Sequence, residues 1–219
     1  MYEVSTSLLN IVKGQEAETI LNLEKSKTDY FHIDVMDGKF VEKNTYDRML
    51  EISSYIKRIS NLPLDVHLMV EDVISSVKDF LTVDPNIITF HLEACKDEKE
   101  VFNIINLIKQ NNSRVGIAIK PNTKLDEIYK YLPYIHVLLV MTVEPGKGGQ
   151  TLITDMINKT HNLKQYIEQN NLETLIEVDG GINLATAERI KQAGADILVS
   201  GTAILMAKDY KAIIDELKK

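Results

Sequence analysis

Short apolar runs alternate with longer helical segments along this chain, and this alternation is the feature that most constrains its fold. Apolar runs of strand length recur eight times, at 4–9, 31–35, 64–69, 87–92, 115–119, 137–141, 175–178 and 197–200. Segments with helical spacing of apolar residues lie between them, notably at 15–26, 97–110, 154–170 and 184–193. Alternating strands and helices indicate parallel strands joined by crossovers. Eight such units in 219 residues favour an α/β fold of the (β/α)₈ TIM-barrel type over an open doubly wound sheet, which usually carries fewer strands.

The sequence predicts a single barrel domain that spans residues 1–219. No stretch rich in proline, glycine or serine divides the strand–helix units, so no linker is evident. Asp97, Thr123 and Asn183 stand where helices are expected to begin. Each of them has a side-chain oxygen that can accept a hydrogen bond from a free backbone N–H.

The charge balance and the single cysteine argue against several classes of protein. The chain carries 25 Lys and Arg against 32 Asp and Glu, a net charge of −7, so we expect no nucleic-acid partner. An anion would need a local binding site, because the overall field repels it. One cysteine, Cys95, gives no intramolecular disulfide. No apolar run approaches the roughly 20 residues that span a bilayer. We therefore expect no membrane partner and a cytoplasmic location.

Unusual polar residues stand at the ends of several predicted strands. Ser7 ends the first, His32 and Asp34 end the second, His67 ends the third and Asp179 follows the seventh. The C-terminal ends of barrel strands form one face, and that face carries the active site in barrel enzymes. These side chains are therefore expected to meet at one rim.

Two histidines and two aspartates at this rim predict a site for one divalent metal ion. Side chains at i and i+2 of a strand point to the same face, so His32 and Asp34 project together. His67 and Asp179 would join them from two other strands. Burying four ionisable groups together is costly without a partner ion. Imidazole and carboxylate ligands suit zinc, iron, manganese or cobalt and do not choose among them.

The remaining histidines and two deeper carboxylates are secondary candidates. Asp65 and Glu177 share strand faces with His67 and Asp179, one step deeper, and are expected to orient the metal ligands. His91 and His136 are interpreted as structural and His161 as solvated. A place in the pocket is the alternative for His91, because it also ends a strand.

Asp34 and Asp179 also predict a type of reaction. Their strands, the second and the seventh, are three steps apart around an eight-stranded ring, so the two carboxylates approach a substrate from opposite sides. Such a pair can remove a proton from one face of a carbon acid and return one to the other. A metal would stabilise the enediolate between these steps, and the result is epimerisation beside a carbonyl. Asp37 lies off this strand register, beside Gly38, and is interpreted as a turn residue.

Glycines after three neighbouring strands predict a phosphate site. The sequences EPGKGGQT (144–151), VDGGIN (178–183) and SGTAIL (200–205) follow the sixth, seventh and eighth strands. Glycines allow backbone N–H groups to approach an anion, and helix N-termini add a favourable dipole. The loops after strands seven and eight are a common phosphate site in barrels. The pattern matches neither the P-loop nor the dinucleotide-binding fingerprint, so a nucleotide site of either kind is rejected.

Seven motifs resemble those of the ribulose-phosphate 3-epimerase family over nearly the whole chain. They are SLLN (7–10), HIDVMDGKFV (32–41), DVHLMV (65–70), IAIKPNT (117–123), VMTVEPGKGGQ (140–150), EVDGGIN (177–183) and VSGTAI (199–204). The resemblance implies a cytoplasmic (β/α)₈ enzyme of the pentose phosphate pathway. It would interconvert D-ribulose 5-phosphate and D-xylulose 5-phosphate with one divalent metal, zinc foremost.

The resemblance also implies roles for individual positions. His32, Asp34, His67 and Asp179 correspond to the family's metal ligands, and Asp34 and Asp179 to its proton-transferring pair. The residues that would contact the sugar phosphate are Ser7, His67, Gly146, Lys147, Gly148, Gly149, Asp179, Gly180, Gly181, Gly201 and Thr202. Met36, Met69 and Met141 match a methionine cluster that lines the pocket, although their spacing alone favours core packing. The family forms dimers and larger assemblies, so a homo-oligomer is expected.

Departures from the family pattern fall in two loops. Glu42 and Lys43 stand where the family usually has Pro-Asn. Lys147 stands where the family usually has an aromatic residue, and it is expected to be exposed. Thr202 replaces a frequent serine. These changes leave substrate selectivity open. One alternative is a 3-epimerase of a hexulose 6-phosphate such as D-allulose 6-phosphate, and another is a silent barrel that only binds sugar phosphates.

Overall fold

Eight parallel strands form a closed barrel in the computed structural model, which describes residues 2–219. Strands β1 to β8 run over Glu3–Ser7, Tyr30–Met36, Leu64–Met69, Ile87–His91, Arg114–Ile119, Val137–Met141, Leu175–Asp179 and Ile197–Ser200. Each strand pairs with the next along the chain, and β8 pairs with β1. The closure confirms the predicted barrel and contradicts the open doubly wound sheet.

Helices cover the outside of the barrel. Helices α1 to α8 run over Glu16–Lys25, Tyr46–Ile59, Val73–Leu81, Glu98–Gln110, Asp155–Gln169, Ala187–Gln192, Thr202–Leu205 and Tyr210–Lys218. The crossover from β5 to β6 instead uses two 3₁₀ segments, Leu125–Glu127 and Tyr129–Tyr134. Among the helices found in residues 2–219, none has both the length and the apolar character needed to cross a membrane.

One of the three predicted helix caps is confirmed. Asp97 precedes α4, and its carboxylate accepts the backbone N–H of Glu100 at 2.8 Å. Thr123 is not a cap, because the 3₁₀ segment begins two residues later and the Thr123 hydroxyl donates to Glu93 instead. Asn183 is not a cap of α6 either. Its side-chain oxygen accepts the N–H of Ala185 within a turn that precedes the helix.

The outward faces of the strands pack against the helices and form the main apolar core. α4 shows the pattern, because its apolar residues at helical spacing are all buried: Val101, Ile104, Ile105 and Ile108. Burial of each such side chain contributes about 1.5–3 kcal/mol before entropy is counted. The barrel is therefore held from outside, and its interior is free to carry polar groups.

The barrel interior is apolar at the N-terminal ends of the strands and largely polar toward their C-terminal ends. An apolar cluster closes the N-terminal end of the strands and consists of Tyr30, Ile87, Val137 and Ile197, with Leu175 beside them. Above it, the β5–β6 side is apolar, with Ala118, Leu139, Met141 and Val143. The other strands place buried polar side chains on the inner face: Ser5, Ser7, His32, Asp34, Asp65, His67, Thr89, His91 and Glu177. Polar groups thus fill the side of the barrel that leads to the C-terminal rim.

Candidate active site

The four residues predicted as metal ligands meet at the C-terminal rim. One ligand atom from each of His32, Asp34, His67 and Asp179 lies within 4.8 Å of the others. Nε2 of His32 is 3.5 Å from Oδ1 of Asp34. Nδ1 of His67 is 3.6 Å from Oδ1 of Asp34 and 3.9 Å from Oδ2 of Asp179. Strands β2, β3 and β7 therefore bring together groups that are far apart in the sequence.

The donor atoms of this cluster fit a divalent cation. Nε2 of His32 and Nδ1 of His67 are buried and have no hydrogen-bond partner. Buried polar atoms without partners are rare in folded proteins, and a bound ion is one explanation for two such nitrogens beside two carboxylates. Two imidazole nitrogens and two carboxylates suit zinc and its first-row neighbours. The His/Asp cluster could thus bind a divalent metal, as the sequence predicts.

His32 is held from behind by Asp65. Nδ1 of His32 lies 2.5 Å from Oδ2 of Asp65, and the hydroxyl of Ser5 donates to the same oxygen at 2.8 Å. Asp65 therefore orients His32, its cross-strand neighbour in the β2–β3 register, rather than His67 on its own strand. Glu177 is also buried close by, with Oε1 3.9 Å from Nδ1 of His32, and neither of its oxygens has a hydrogen-bond partner.

His67 is held by residues that the sequence reasoning missed. Its Nε2 lies 2.9 Å from Nε2 of His91, whose Nδ1 lies 3.0 Å from Oε2 of Glu93. The sequence favours a structural His91 and leaves a place in the pocket as the alternative; His91 ends β4 as expected, and its side chain is buried beside His67. The available signal was strand parity, since Thr89 and His91 share a strand face. Glu93 follows in a 3₁₀ segment that no sequence signal placed at the rim.

The surroundings of the two aspartates, Asp34 and Asp179, shift their pKa values in opposite directions. Burial acts to raise the pKa of Asp34, but the positive charge of His32, with the ring of His67 also close by, outweighs it and holds that pKa well below its usual range. Burial and the negative charge of Asp34 raise the pKa of Asp179 to about 7. Two carboxylates whose pKa values are pushed apart are suited to act as base and acid.

The two ligand histidines also differ in charge. Burial acts to lower the pKa of His32, but the carboxylates of Asp65 and Asp34 outweigh it and raise that pKa well above its usual value. Burial lowers the pKa of His67 and lowers that of His91 to about 4, so both of those rings are neutral near pH 7. Without a metal, His32 is therefore protonated near pH 7 and Asp179 is protonated in part.

A cavity of about 330 Å³ opens above the four-residue cluster. Asp34 and Asp179 line its floor, and the hydroxyl of Ser7 donates to Oδ2 of Asp34 at 2.7 Å. The predicted methionines Met36, Met69 and Met141 line the walls. The predicted phosphate-contacting residues also line the cavity: Gly146, Lys147, Gly148, Gly149, Gly180, Gly181, Gly201 and Thr202. Five further polar residues that were not predicted as contacts also line it: Asn10, Glu144, Gln150, Asn183 and Ser200.

Glycine is required where the loops after β6 and β7 touch. Gly181 has φ +68, and a Cβ there would lie 2.4 Å from the backbone nitrogen of Leu152. Gly180 has φ +118, and a Cβ there would lie 2.3 Å from a methyl group of Val143. The two loops can approach this closely only because both positions lack a side chain. Residues of both loops line the cavity.

The residues that depart from the family pattern lie on the surface. Glu42, Lys43 and Lys147 are exposed, so the prediction of an exposed Lys147 is confirmed. Asp37 is confirmed as a turn residue. Its carboxylate accepts the backbone N–H groups of Lys39, Phe40 and Glu71 at 2.8–2.9 Å and ties the loop after β2 to the loop after β3.

Comparison with known proteins identifies relatives along the whole chain. The family model described as the ribulose-phosphate 3 epimerase family matches residues 3–205. The chain is 40% identical to a ribulose-phosphate 3-epimerase of Methanocaldococcus jannaschii over 219 residues, which cover 100% of this chain and 91% of the relative. It is 35% identical to the Bacillus subtilis protein of that name, with 100% and 99% covered. For the Escherichia coli protein the identity is 34%, with 99% and 95% covered.

Solved structures resemble the chain in fold. KGPDC from Streptococcus mutans aligns with a TM-score of 0.70 at 15% identity and covers 100% of this chain and 96% of its own. A 3-hexulose-6-phosphate synthase aligns with a TM-score of 0.64 at 16% identity, with 100% and 98% covered. At such identities the likeness extends to the barrel alone.

Proposed function

The chain belongs to the ribulose-phosphate 3-epimerase family, and from this premise we propose that it interconverts D-ribulose 5-phosphate and D-xylulose 5-phosphate. The family match confirms the resemblance predicted from the sequence motifs. The observation that carries the proposal is that Asp34 and Asp179 line one cavity and cluster there with the buried histidines His32 and His67. The same cavity receives the three glycine-containing loops, so acid–base groups and an anion site face one substrate.

One divalent metal ion completes this proposal, with His32, Asp34, His67 and Asp179 as its ligands. Zinc is the first choice, and iron, manganese or cobalt would suit the same donor set. When bound, the metal would supply Lewis-acid stabilisation of the negative charge that develops on the substrate oxygens. Asp65 and Ser7 support the ligands from behind, through hydrogen bonds to His32 and Asp34.

Proton transfer is proposed for Asp34 and Asp179. The C3–H bond breaks as one carboxylate takes the proton, and the electron pair moves into an enediolate with the C2 carbonyl oxygen. The other carboxylic acid then gives its proton to the opposite face of C3, which inverts that centre. The metal-free site already separates the pKa values of the two carboxylates, since that of Asp34 is held low and that of Asp179 is raised to about 7, and this difference supports unlike roles for them.

The glycine-containing loops are proposed to hold the phosphate. The chain has a net charge of −7, so a phosphate must be held by local donors. Gly146, Gly148 and Gly149 follow β6, while Gly180, Gly181, Gly201 and Thr202 follow β7 and β8. Their backbone N–H groups, the Thr202 hydroxyl and Lys147 are the proposed contacts. Ser7 and His67 are proposed to contact the sugar, and the three methionines to exclude water from it.

Solvent exchange is the decisive experiment. In D₂O with Zn²⁺, Mn²⁺ or Fe²⁺ supplied, deuterium is expected at C3 of ribulose 5-phosphate together with formation of xylulose 5-phosphate. A panel of pentulose and hexulose phosphates sets the substrate class. A much larger kcat/KM for D-allulose 6-phosphate would replace the proposal with the hexulose alternative. No bound metal and no turnover with any of these ions would favour a barrel that only binds sugar phosphates.

A further inference from the structure

A chain of side chains leads outward from His67 to the edge of the barrel. Nε2 of His67 lies 2.9 Å from Nε2 of His91, and Nδ1 of His91 lies 3.0 Å from Oε2 of Glu93. The other carboxylate oxygen of Glu93, Oε1, accepts the backbone N–H of Lys120 at 2.8 Å and the hydroxyl of Thr123. Both histidine side chains are fully buried, and 22% of the Glu93 side chain is exposed. Every link from the rim to Glu93 is thus within hydrogen-bond distance.

The direction of these hydrogen bonds is fixed from the outer end. Burial acts to raise the pKa of Glu93, but hydrogen bonds to His91, Thr123 and Lys120 outweigh it and lower that pKa to about 2. The carboxylate is therefore ionised and can only accept from His91. Nδ1 of His91 therefore carries the proton. A neutral imidazole has one N–H, so Nε2 of His91 carries a lone pair and accepts. Nε2 of His67 must then donate, which leaves the lone pair of His67 on Nδ1.

The lone pair of His67 thereby faces the candidate metal centre. Nδ1 of His67 is the nitrogen that approaches Asp34 and Asp179, and it has no hydrogen-bond partner of its own. A histidine must present a neutral nitrogen to a metal, and the hydrogen bond at its other nitrogen decides which one that is. His32 obtains this directly from Asp65. Asp65 is already hydrogen-bonded to His32, so the tautomer of His67 is set by the longer chain through His91 and Glu93.

We propose that Glu93 is a positioning residue for the metal centre: acting through His91, it selects the tautomer of His67 whose Nδ1 lone pair faces Asp34 and Asp179. This inference rests on the metal site of the proposed function. It gives His91 and Glu93, neither of which lines the cavity, a measurable part in metal affinity.

Glu93→Gln is the sharpest test, because it changes the hydrogen-bond direction and almost nothing else. The amide oxygen is expected to keep the donors at Lys120 and Thr123, so that the NH₂ group faces His91. Nδ1 of His91 must then accept, and its proton moves to Nε2. That proton forces the lone pair of His67 to Nε2 and places N–H on the metal-facing nitrogen.

The expected result is a 10- to 100-fold weaker affinity for Co²⁺ and Zn²⁺, measured by competition with a chromogenic chelator. Glu93→Ala is expected to weaken binding less than Glu93→Gln, because it removes the acceptor without imposing the wrong direction. A merely structural role would give the reverse order. Glu100→Gln is the matched control, since Glu100 also accepts a backbone N–H, at Lys96, outside the chain from His67 to Glu93. It is expected to bind both ions as the wild type does.

The ring tautomers can be read without any metal. In ¹⁵N NMR spectra of the metal-free wild type, His91 is expected to carry its proton on Nδ1 and His67 on Nε2, and both assignments reverse in Glu93→Gln. Wild-type His67 protonated on Nδ1, or a folded Glu93→Gln that binds Co²⁺ within about twofold of wild type, would overturn the inference. If the wild type itself binds no divalent ion and shows no epimerase turnover, the proposed function fails. The NMR tautomers would still decide the direction of the hydrogen bonds.

Discussion

Nδ1 of His32 lies 2.5 Å from Oδ2 of Asp65, a residue 33 positions away on the neighbouring strand. This contact turns the opposite nitrogen, Nε2, toward Asp34 at 3.5 Å. The pairing follows from the β2–β3 register, in which these two residues are direct cross-strand partners. The orientation of one candidate ligand is thus determined by strand pairing, one layer below the rim.

Asp65→Asn is expected to weaken metal affinity about 10- to 100-fold. The amide can turn its NH₂ group toward His32, which then loses the acceptor that fixes its ring. Chelator competition with Zn²⁺ measures the change. Asp84→Asn is a suitable control, because Asp84 is an exposed carboxylate paired with Lys57 at the opposite end of the barrel. Equal affinity of Asp65→Asn and wild type would contradict this role.

Asp179→Asn is expected to lose epimerisation by about 10²–10⁴-fold or more while the fold persists. The variant keeps Asp34 as a base on one face of the substrate but lacks the partner on the other face. Steady-state turnover, with circular dichroism as the check on folding, measures this loss. Near-native turnover would contradict the two-carboxylate mechanism.

Solvent exchange can show which carboxylate, Asp34 or Asp179, transfers the proton on each face of the substrate. In Asp179→Asn, deuterium is expected to enter only the epimer whose C3 proton faces Asp34, without formation of the other epimer. Asp34→Asn is expected to give the complementary pattern. Exchange into both epimers by either variant would place the proton transfer on another group.

Metal affinity is expected to rise with pH between about 5.5 and 8. In the metal-free site Asp179 holds a proton at about pH 5.5 and only in part near pH 7, because burial and Asp34 raise its pKa to about 7. His32 holds another, because its carboxylate neighbours outweigh burial and raise its pKa. A cation must displace these protons. Titration calorimetry in two buffers of different ionisation enthalpy counts those released, and a pH-independent affinity with no proton release would contradict this expectation.

The same two groups give the metal-free protein a stability that falls as pH rises. The folded pKa of Asp179 lies above the unfolded value of about 3.9, so its stabilising effect is present at low pH and lost between about pH 4 and 7. The effect of His32 has the same sign, because its pKa is also raised, and it is lost as the pH rises above the pKa of His32 in the unfolded chain. The rise in Tm on adding Zn²⁺ should therefore be larger at pH 8 than at pH 5.5. Equal rises in Tm at the two pH values would contradict the raised pKa values of Asp179 and His32.

Gly181→Ala is expected to lower kcat/KM for the sugar phosphate by about ten- to a hundredfold, mainly through KM. The new Cβ would stand 2.4 Å from the backbone nitrogen of Leu152, so the loop after β6 must move. Gly14→Ala separates this clash from backbone strain, because Gly14 also has positive φ, +88, but nothing within 4 Å of the added Cβ. If both variants behave alike, close packing of the loops is not what places the phosphate donors.

The sequence alone was enough to predict the barrel and the meeting of its four rim residues. Alternation of apolar runs gave the strands, and the two-residue period placed His32 and Asp34 on one face. The C-terminal rim rule then brought in His67 and Asp179 without knowledge of any distance. These inferences depend on periodicity, which a single sequence carries.

Contacts across strands and turns were beyond such reasoning. The pairing of Asp65 with His32 depends on strand register, and that of His91 with Glu93 on a 3₁₀ segment with no pattern of its own. Thr123 and Asn183 have the chemistry of helix caps, but their oxygens are used in other turns. The tertiary structure decides which hydrogen-bond donor lies beside each of these oxygens, and the local sequence does not show this.

The closed order of the strands has a consequence for how the protein folds. His67 on β3 and Asp179 on β7 approach each other only after β8 pairs with β1, because that pairing completes the ring between them. Contacts of such long sequence separation form late in folding. A bound metal is therefore expected to slow unfolding with little effect on the folding rate, so its release reports on the opening of the ring.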